Sequence, residues 1–257
     1  MKIPKLIIFT GNIGCGKSFL ASKFAKKGYV VVNNDAITTM VQGGEYALYD
    51  PAKKPIYKII ETTTIAEALR AGFSVVVDRT NMSVSDRKRY IDIGKACNVD
   101  IHSYDWGHGG QEPLNRRLLS PNGIPRATWF NVHMAMQKAY LAPELKEGFD
   151  TINDAPKAFK FYAFDFDGTI VENDFPGIGK IRGEMVDKIN TVWKGLNNVI
   201  IIWTCRGGDS MNVMKEFLIA EGIPFDFINK NPIVNFGSSK IFAHEYYDDR
   251  NRLIDDC

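Results

Sequence analysis

Short apolar runs alternate with amphipathic stretches along residues 1–150 of the chain. Runs of Val, Ile, Leu and Phe predict buried strands at residues 6–10, 29–33, 73–77 and 99–104. Apolar positions at helical spacing predict helices at residues 17–27, 56–71, 83–96 and 128–140. Strands that alternate with helices in this way are typical of a doubly wound parallel sheet, so the sequence predicts an α/β fold.

A second alternating pattern follows a polar stretch. Residues 147–160 combine Gly, Asp, Asn and Pro without periodicity, which predicts a linker between a domain at 1–150 and another at 158–257. Beyond the linker, the pattern predicts strands at 161–164, 199–203 and 225–228, helices at 182–196 and 210–221, and a further segment at 241–247. The second domain is therefore also expected to be α/β.

The composition is that of an ordinary globular protein rather than a membrane, secreted or disordered one. Of the 257 residues, 45% are apolar and 24% are charged, and no apolar run approaches the roughly 20 residues of a membrane span. The apolar run after Met1 is too short for the core of a signal peptide. The four cysteines are scattered without a C-x-x-C pair, which favours a reducing cytoplasm over a disulfide scaffold or a zinc site.

Charge is divided unevenly between the two halves. Residues 1–150 hold 20 Lys and Arg against 14 Asp and Glu, whereas residues 151–257 hold 12 against 16. A basic first half is compatible with a nucleotide or an anionic polymer as substrate. A surplus of this size is common, so it only supports conclusions that the motifs carry.

A G-x-x-x-x-G-K-[ST] motif follows the first predicted strand and precedes the first predicted helix. It comprises Gly11, Asn12, Ile13, Gly14, Cys15, Gly16, Lys17 and Ser18. Such a loop wraps the phosphates of ATP or GTP with backbone N–H groups, while its lysine reaches the β- and γ-phosphates and its hydroxyl binds Mg²⁺. We therefore predict a nucleotide site in which Lys17 is also catalytic. A glycine-rich turn without a ligand is the weaker alternative.

Charged residues that a kinase would need follow other strands of the first domain. Asp35 comes after the second predicted strand, where it either prepares an acceptor hydroxyl or caps a helix that begins at Ala36. Asp78 closes the third predicted strand, and Arg79 follows it. We predict that both lie at the substrate, where Asp78 would either orient the acceptor or hold Mg²⁺ through water. A simple turn is the remaining alternative for Asp78.

The segment 113–125 carries Arg116 and Arg117, and we predict that it forms a mobile lid over the nucleotide. Together with the P-loop, Asp35 and the D-x-T-N sequence beginning at Asp78, it resembles the kinase half of the bacteriophage polynucleotide 5′-kinase/3′-phosphatase family. The resemblance extends over residues 1–150 at the level of motifs. It implies that Asp35 activates a 5′-hydroxyl, that Asp78 lies in the active site and that the lid arginines grip phosphates.

Two features depart from that family. Its arginine three residues after the catalytic aspartate is Thr38 here, which removes a charged contact to the acceptor's neighbouring phosphate unless Arg79 or Arg87 replaces it. The family spaces its two lid arginines four residues apart, whereas here they are adjacent. These departures leave the nature of the acceptor open.

A D-x-D-G-T motif beginning at Asp165 follows the first strand of the second domain. With Thr204 at the end of a predicted strand and Lys240 further on, it resembles the phosphatases of the haloacid dehalogenase superfamily. The resemblance implies that Asp165 is the nucleophile of an aspartyl-phosphate mechanism and that Asp167 is the general acid and base. Thr204 would then hydrogen-bond the phosphoryl group, and Lys240 would neutralise its charge.

The resemblance also implies a magnesium site. Asp248 or Asp249 would bind Mg²⁺ together with Asp165 and Asp167, because carboxylates this close are tolerated only beside a cation. One member of the Asp248–Asp249 pair could instead cap a helix. Arg206, two positions after Thr204 in the sequence, is expected either to contact a substrate phosphate or to be a solvated surface arginine.

The spacing of the second motif limits the size of the domain. Only 35 positions separate Thr169 from Thr204, and 36 separate Thr204 from Lys240. One helix and one strand or loop fill each gap, so no room remains for a cap domain. Residues 170–179 also resemble the small capless hydrolases of the superfamily. An open site of this kind favours a phosphate displayed on the end of a polymer.

We therefore expect a P-loop doubly wound parallel-sheet domain followed by a small capless haloacid dehalogenase-like α/β domain. The predicted function is nucleic-acid end healing, by an ATP- or GTP-dependent polynucleotide 5′-hydroxyl kinase joined to a 3′-phosphatase, both with Mg²⁺. The expected partners are DNA or RNA ends and a ligase acting afterwards, with no membrane. The expected location is the cytoplasm, or the host cytoplasm if the protein is phage-encoded. The alternatives are a small-molecule or modified-base kinase fused to a metabolite phosphatase, and a nucleotide-dependent regulatory module with an inactive second domain.

Overall fold

The structure, a computed structural model, describes residues 3–45, 48–119, 121, 123–156, 158–231 and 241–250. Contacts divide the chain into two units, Met1–Lys157 and Ala158–Cys257. Each unit contains a parallel sheet with helices, so the predicted α/β class is confirmed for both. Among the described residues, no helix has the length and apolar character required to cross a bilayer.

Five parallel strands form the sheet of the first unit. They are β1 (Lys5–Thr10), β2 (Val30–Asn33), β3 (Val75–Asp78), β4 (Asp100–Asp105) and β5 (Thr151–Asp154). Their order across the sheet is β2-β3-β1-β4-β5. The helices described in this unit are α1 (Lys17–Lys26), α2 (Asn34–Val41), α3 (Lys54–Arg70), α4 (Val84–Ala96), α5 (Gln111–Leu119) and α6 (Arg126–Ala139), with short 3₁₀ helices at Pro51–Lys53 and Leu145–Glu147.

This strand order creates a crevice at the carboxyl end of β1. The chain leaves β1 through α1 towards β2, whereas it leaves the neighbouring strand β3 through α4 towards β4. In open parallel sheets, ligands bind where the connections of two adjacent strands diverge in this way. The loops that follow β1 and β3 therefore border the expected ligand site.

Burial on both faces explains the apolar runs of the central strands. In β1, Leu6 and Ile8 are fully buried in a core cluster that also contains Val75, Val77 and Tyr90. The intervening residues of the strand are buried against the opposite face. A strand covered on both faces needs apolar side chains at every position, so these segments show continuous rather than alternating hydrophobicity.

The predicted linker at 147–160 is wrong in part, because β5 lies within it. This strand pairs with β4 from His102↔Thr151 to Asp105↔Asp154 and closes the edge of the sheet. The residues of β5 are mostly exposed and polar, so the hydrophobic pattern of the sequence did not predict this strand. No helix was predicted at α5, where part of the predicted lid lies. Helix α2 is short, and its N-cap is Asn33.

Arg87 on α4 is a structural residue, and its predicted role as a replacement phosphate ligand is wrong. Its guanidinium is fully buried and binds both carboxylate oxygens of Glu147, at 2.9 and 2.7 Å. It also donates to the backbone carbonyl oxygens of Asn81 at 3.1 Å and Leu141 at 2.9 Å. These bonds attach α4 to the segment that follows α6.

Arg87→Met is expected to lower the free energy of unfolding by about 3–5 kcal/mol, because it leaves the carboxylate of Glu147 buried without its charged partner. Denaturant unfolding followed by circular dichroism measures this loss. Lys88→Met is the matched control, since the neighbouring Lys88 side chain is 71% exposed and pairs only on the surface, with Asp92 at 3.1 Å. Equal losses in the two variants would contradict the structural role of Arg87.

The second unit contains a four-stranded parallel sheet. Its elements are β6 (Lys160–Asp165), α7 (Gly183–Trp193), β7 (Asn198–Trp203), α8 (Gly208–Ala220), β8 (Phe227–Ile228) and β9 (Glu245–Tyr247), and the strand order is β8-β7-β6-β9. The last two strands are shorter than the predicted segments 225–228 and 241–247. Between β6 and α7, the described chain forms only a turn and two isolated bridges, Asp167↔Val171 and Val171↔Ile181.

The central strand of this sheet ends at the second motif. Phe164 on β6 is fully buried, and β6 pairs with β7 on one side and β9 on the other. In register, Asp165 is opposite Trp203 at the end of β7. Since the strands are parallel, their carboxyl ends lie at the same edge, and the residues after β6, β7 and β9 can meet there.

Candidate active sites

The P-loop between β1 and α1 has a conformation that its glycines permit. Gly14 has a φ of +74°, and a Cβ there would lie 2.1 Å from the Pro113 carbonyl oxygen, so only glycine fits. The ammonium of Lys17 donates to the carbonyl oxygens of Gly11 at 2.9 Å and Asn12 at 2.6 Å. The predicted nucleotide lysine is therefore held against the loop at the first residue of α1.

Asn12 anchors the P-loop from below. Its side chain is fully buried, and its amide nitrogen donates to the carbonyl oxygens of His108 and His133, each at 3.0 Å. Its amide oxygen accepts the N–H of Ile13 at 2.7 Å. These bonds connect the loop to the segment after β4 and to α6, so only the backbone of Asn12 remains for a phosphate.

A cavity of about 430 Å³ opens beside the P-loop, at the crevice between β1 and β3. Loops after three strands supply its wall, and α5 and α6 close one side. The predicted site residues that line it are Ile13, Gly14, Gly16, Lys17, Ser18, Asp35, Asp78, Arg79 and Arg117. The structure thus brings most of the predicted kinase residues to one cavity.

The two predicted lid arginines lie on different cavities. Arg117 lines the P-loop cavity, and its guanidinium lies 4.6 Å from the centre of the Trp129 ring. Arg116 lines a separate cavity of about 440 Å³ together with Cys15 and Trp106. Adjacent residues of a helix point about 100° apart, so α5 directs the two arginines differently. Only Arg117 is placed to act beside Lys17.

Asp35 and Asp78 bring two carboxylates to the P-loop cavity. Asp78 is 5% exposed and accepts a hydrogen bond from the Asn33 side-chain nitrogen at 2.8 Å. Asp35 lies in the first turn of α2, whose N-cap is Asn33, so the alternative that Asp35 is the cap is wrong. Asp35 is partly exposed, but desolvation of its carboxyl raises the pKa. The positive charge of Arg117 partly offsets this rise in the pKa, and repulsion from Asp78 adds to it. A raised pKa suits a group that must accept a proton.

Position 38 does not face this cavity. Thr38 is fully buried on α2, and its hydroxyl has no hydrogen-bond partner among the described residues. An arginine here would therefore be buried in the protein rather than directed at an acceptor. Of the two arginines expected as replacements, Arg87 is buried in the ion pair described above, and only Arg79 lines the cavity.

Three carboxylates of the second unit converge beyond the ends of β6 and β9. Ligand oxygens of Asp165, Asp248 and Asp249 all lie within 4.8 Å of one another. Burial raises the pKa of Asp165 to about 6, partly offset by the Phe166 N–H and reinforced by repulsion from Asp248 and Asp249. A cluster of carboxylate oxygens is the donor set that Mg²⁺ prefers, so the residues fit the predicted ion.

The glycine and threonine of the D-x-D-G-T motif position Asp249. Gly168 has a φ of +92°, and a Cβ there would lie 2.4 Å from a carboxylate oxygen of Asp249. The hydroxyl of Thr169 accepts the N–H of Asp249 at 2.9 Å. Asp248 accepts the N–H of Arg250 at 2.8 Å, so it also shapes the turn. Both aspartates are therefore fixed in place.

Asp167 was predicted to bind Mg²⁺ as well, but it is not part of the carboxylate cluster, because Arg206 holds its side chain. The guanidinium binds both oxygens of Asp167, at 2.8 and 2.6 Å. It lies between the rings of Phe166 and Phe175, 5.1 and 5.3 Å from their centres, and is only 3% exposed. The alternative of a solvated surface arginine is therefore wrong. Arg206 fixes the orientation of Asp167 at the same cavity of about 450 Å³ that Asp165 lines.

Thr204 follows β7 directly, and its hydroxyl oxygen accepts the N–H of Arg206 at 3.1 Å. The backbone of Thr204 is held on both sides by the side chain of Asn229, through bonds of 2.9 and 2.7 Å. Among the residues that the structure describes, no acceptor takes the hydroxyl hydrogen of Thr204, so this hydrogen can be donated to a ligand. Lys240, the predicted neutralising residue, lies outside the described residues.

Several residues at these sites escaped the sequence reasoning. In the first unit, Asn33, Asn34 and Trp129 line the P-loop cavity. In the second, Phe175 lines the cavity beside Asp165 although 62% of its surface is exposed. A signal existed only for Asn33, because asparagine just before a short amphipathic stretch is a common N-cap. The other contacts depend on how distant segments pack.

Comparison with known proteins gives a family match within the first unit. Residues 6–105 match a family model described as an AAA domain. A protein of Acanthamoeba polyphaga mimivirus, named a bifunctional polynucleotide phosphatase/kinase, is 28% identical over 156 residues, which cover 58% of this chain and 32% of that protein. The chain thus spans about a third of that relative's length.

Two solved structures are also similar to the chain. One belongs to the Pnkp1/Rnl/Hen1 RNA repair complex, at 19% identity and a TM-score of 0.45, covering 89% of this chain and 79% of that one. The other, a conserved protein from Bacteroides thetaiotaomicron, is 34% identical with a TM-score of 0.32, covering 36% of this chain and 78% of that one. TM-scores this low support no functional conclusion. The domain match and the strand order identify the first unit as a P-loop kinase-like fold.

Proposed function

We propose that the protein is a bifunctional nucleic-acid end-healing enzyme, a polynucleotide 5′-hydroxyl kinase and 3′-phosphatase. The observation that carries the proposal is the presence in one chain of two motifs for phosphate chemistry, each beside its own cavity. One combines a P-loop with two strand-end carboxylates, and the other combines the D-x-D-G-T motif with a carboxylate trio. Addition of a phosphate to a 5′ end at one site and removal of a 3′-phosphate at the other would together prepare nucleic-acid ends for joining.

In the kinase step, the acceptor hydroxyl oxygen attacks the γ-phosphorus of ATP. Its proton passes to Asp35, and ADP leaves with the electron pair of the broken P–O bond. Lys17 and Arg117 offset the charge that develops on the transferred phosphoryl group, and the P-loop N–H groups hold the remaining phosphates. Ser18 lines the same cavity, and its hydroxyl would bind the Mg²⁺ that accompanies the nucleotide.

In the phosphatase step, a carboxylate oxygen of Asp165 attacks the phosphorus of a 3′-phosphate. The bond to the 3′ oxygen breaks, and Asp167 delivers a proton to that oxygen. Water then attacks the aspartyl phosphate and loses its proton to Asp167, which releases inorganic phosphate and restores Asp165. Mg²⁺ bound by Asp165, Asp248 and Asp249 would offset the negative charge of the incoming phosphate.

Two observations favour polymer ends over small phosphate esters. The described part of the second unit, residues 158–231 and 241–250, contains no inserted domain that could close over the cavity of Asp165. The name of the mimivirus relative, which aligns with 58% of this chain, joins the same two activities on polynucleotides. A ligase that seals the healed ends is the partner this function requires.

A small-molecule or modified-base kinase is the second candidate. One part of the P-loop cavity favours this candidate. The residues at the end of β2, namely Asn33, Asn34 and Asp35, line the cavity with hydrogen-bonding groups that suit a polyhydroxylated acceptor. The deciding experiment offers the purified protein 5′-hydroxyl and 3′-phosphate oligonucleotides of DNA and RNA, beside free nucleosides and small phosphate esters. Phosphorylation of nucleosides but not oligonucleotides would select this candidate and reject end healing.

Asp35→Asn is expected to lower kinase turnover by roughly 10²–10⁴-fold, because general-base assistance is lost while the residue keeps its size. The pKa of Asp35 is raised in the folded state. At pH values above this raised pKa, the charged carboxylate lowers the stability of the folded protein. At pH values below the ordinary pKa of aspartate, the carboxyl is protonated in both the folded and unfolded states and has no such effect. The variant should therefore be at least as stable as the original protein at neutral pH. In the original protein, turnover should fall as the pH drops through the raised pKa.

Pre-steady-state transfer of phosphate from labelled ATP measures turnover, and thermal unfolding at several pH values measures stability. Asp50→Asn is the matched control, because Asp50 caps the 3₁₀ helix at Pro51–Lys53 and does not line the cavity. A variant at position 35 that keeps full turnover would show that Asp35 is not the base.

A further inference from the structure

Phe175 lies at the rim of the cavity that Asp165 and Asp167 also line. Among the residues described at this cavity, it provides the only aromatic ring. Its surface is 62% exposed, whereas the neighbouring aromatic residue Phe166 is fully buried in the core of the unit. The ring of Phe175 therefore has free surface at the site, and the proposed phosphatase step gives it no role.

Phe175 belongs to a loop between β6 and α7 whose two ends are bonded to each other. The N–H of Glu172 donates to the carbonyl oxygen of Lys180 at 2.8 Å, and Val171 forms an antiparallel bridge with Ile181. A loop closed in this way has few positions available to its tip. Little conformational freedom is then lost when a ligand contacts the tip, which favours binding there.

Arg206 fixes the orientation of the Phe175 ring. Its guanidinium donates to the backbone carbonyl oxygens of Pro176, at 3.2 Å, and of Gly177. The same guanidinium lies over the Phe175 ring, 5.3 Å from its centre, and forms the ion pair with Asp167. Because one face of the ring lies against Arg206 and most of the side chain is exposed, the other face is open to a ligand.

The position of Asp167 determines where a leaving group lies. In the proposed phosphatase step, Asp167 protonates the oxygen that leaves, so the group attached to this oxygen extends from Asp167 towards the rim of the cavity. Arg206 contacts both Asp167 and Phe175, so a ring carried by the leaving group comes within reach of Phe175. Phenylalanine has no hydrogen-bonding group and binds another ring by stacking and burial alone. Such a contact suits a nucleobase of any identity.

We propose that Phe175 stacks on the base of the nucleotide whose 3′-phosphate is removed. The inference rests on the proposed phosphatase function and adds a specificity to it: ends that retain their terminal base are favoured over ends that have lost it. The preference is independent of the identity of the base, since every base has a π face. Phe175 binds the substrate and takes no part in the transfer of protons or phosphate.

The test compares two oligonucleotides that carry the same 3′-phosphate. One ends in an ordinary nucleotide, and the other has an abasic tetrahydrofuran residue at that position, so both have the same charge. Stacking of a base on an aromatic side chain contributes enough to give the original protein a preference of roughly 5–100-fold in kcat/KM for the base-bearing end. The assay contains no ATP, so the first active site does not interfere.

Phe175→Ala is expected to abolish this preference by raising the KM for the base-bearing oligonucleotide, with the KM for the abasic one nearly unchanged. Phe175→Trp should retain the preference, and Phe175→Leu should retain only part of it, because leucine is apolar but has no π face. Ile219→Ala is the matched control, because Ile219 on α8 is 63% exposed and lies outside the described lining of the cavity. Thermal unfolding of every variant confirms that it is folded.

A role limited to supporting Arg206 gives a different result. Phe175→Ala would then disturb the ion pair with Asp167 and lower kcat for both oligonucleotides equally, with the preference intact. Equilibrium binding to Asp165→Asn, which lacks the nucleophile, separates binding from chemistry. Calorimetric titration should show tighter binding of the base-bearing end to Asp165→Asn, and the added Phe175→Ala substitution should remove the difference.

The possible failures are distinguishable. If the original protein releases phosphate from neither oligonucleotide, the proposed phosphatase function falls, and this inference falls with it. If it dephosphorylates both equally well, or if Phe175→Ala weakens both to the same extent, the phosphatase function stands and the role of Phe175 is refuted.

Discussion

Asp165→Asn is expected to lower 3′-phosphatase activity on the order of 10⁵-fold or more, the scale of loss seen when a covalent nucleophile is removed. An amide oxygen cannot form the acyl phosphate. The substitution also removes one of the three charges that converge with Asp248 and Asp249, which weakens the proposed ion site. Release of inorganic phosphate from a 3′-phosphate oligonucleotide measures the activity.

Acid-quenched samples of the original protein with labelled substrate should contain an acid-stable, alkali-labile phosphoryl protein, and those of Asp165→Asn should not. Asp187→Asn is the control, because Asp187 is an exposed carboxylate on α7 of the same unit. Kinase activity should be unchanged in both variants. Retained phosphatase activity in Asp165→Asn would require another nucleophile and would refute the proposed mechanism.

Lys17→Ala is expected to lower the kinase activity and to leave the phosphatase activity unchanged. Removing one preorganised cation at a developing phosphoryl charge typically costs roughly 10²–10³-fold in turnover, and the binding of the β- and γ-phosphates should weaken as well. Transfer of labelled phosphate from ATP to a 5′-hydroxyl oligonucleotide measures the loss. The second unit has its own catalytic residues, so dephosphorylation should continue at the original rate.

Lys27→Ala provides the control, since Lys27 is an exposed lysine at the other end of α1. Thermal unfolding must show that Lys17→Ala is folded, because Lys17 also bonds to the carbonyl oxygens of the P-loop. Loss of both activities in a folded Lys17→Ala protein would mean that the two sites are not independent, and the two-site proposal would fail.

The elements that the sequence predicted well are those whose signal is local. The continuous apolar run at β1 reflects burial on both faces, and the helix predicted at residues 128–140 forms at Arg126–Ala139. Both motifs could be recognised from the sequence because their glycines, lysine and aspartates stand close together in it. In contrast, β5 is polar and depends on pairing with β4, so nothing local marked it.

Side-chain direction was the other quantity that the sequence did not contain. Thr38 and Arg87 were placed near the acceptor from their sequence positions, but both are fully buried. The separation of Arg116 from Arg117 likewise depends on the rotation of α5 about its axis. The ion pair between Arg206 and Asp167 joins residues that are 39 positions apart in the sequence, and it forms only when β6 and β7 pair.

The polar character of β5 has a consequence for the behaviour of the protein at high concentration. An outermost strand presents unpaired backbone groups on which a strand of another molecule can pair, and long apolar edges therefore promote aggregation. Here the outermost strand on that side is only four residues long, and Thr151, Asn153 and Asp154 surround its lone aliphatic residue, Ile152. Pro156 follows shortly after it and cannot extend the ladder. Strand β5, which the hydrophobic pattern did not predict, is thus well suited to prevent edge-to-edge strand pairing between two copies of the protein.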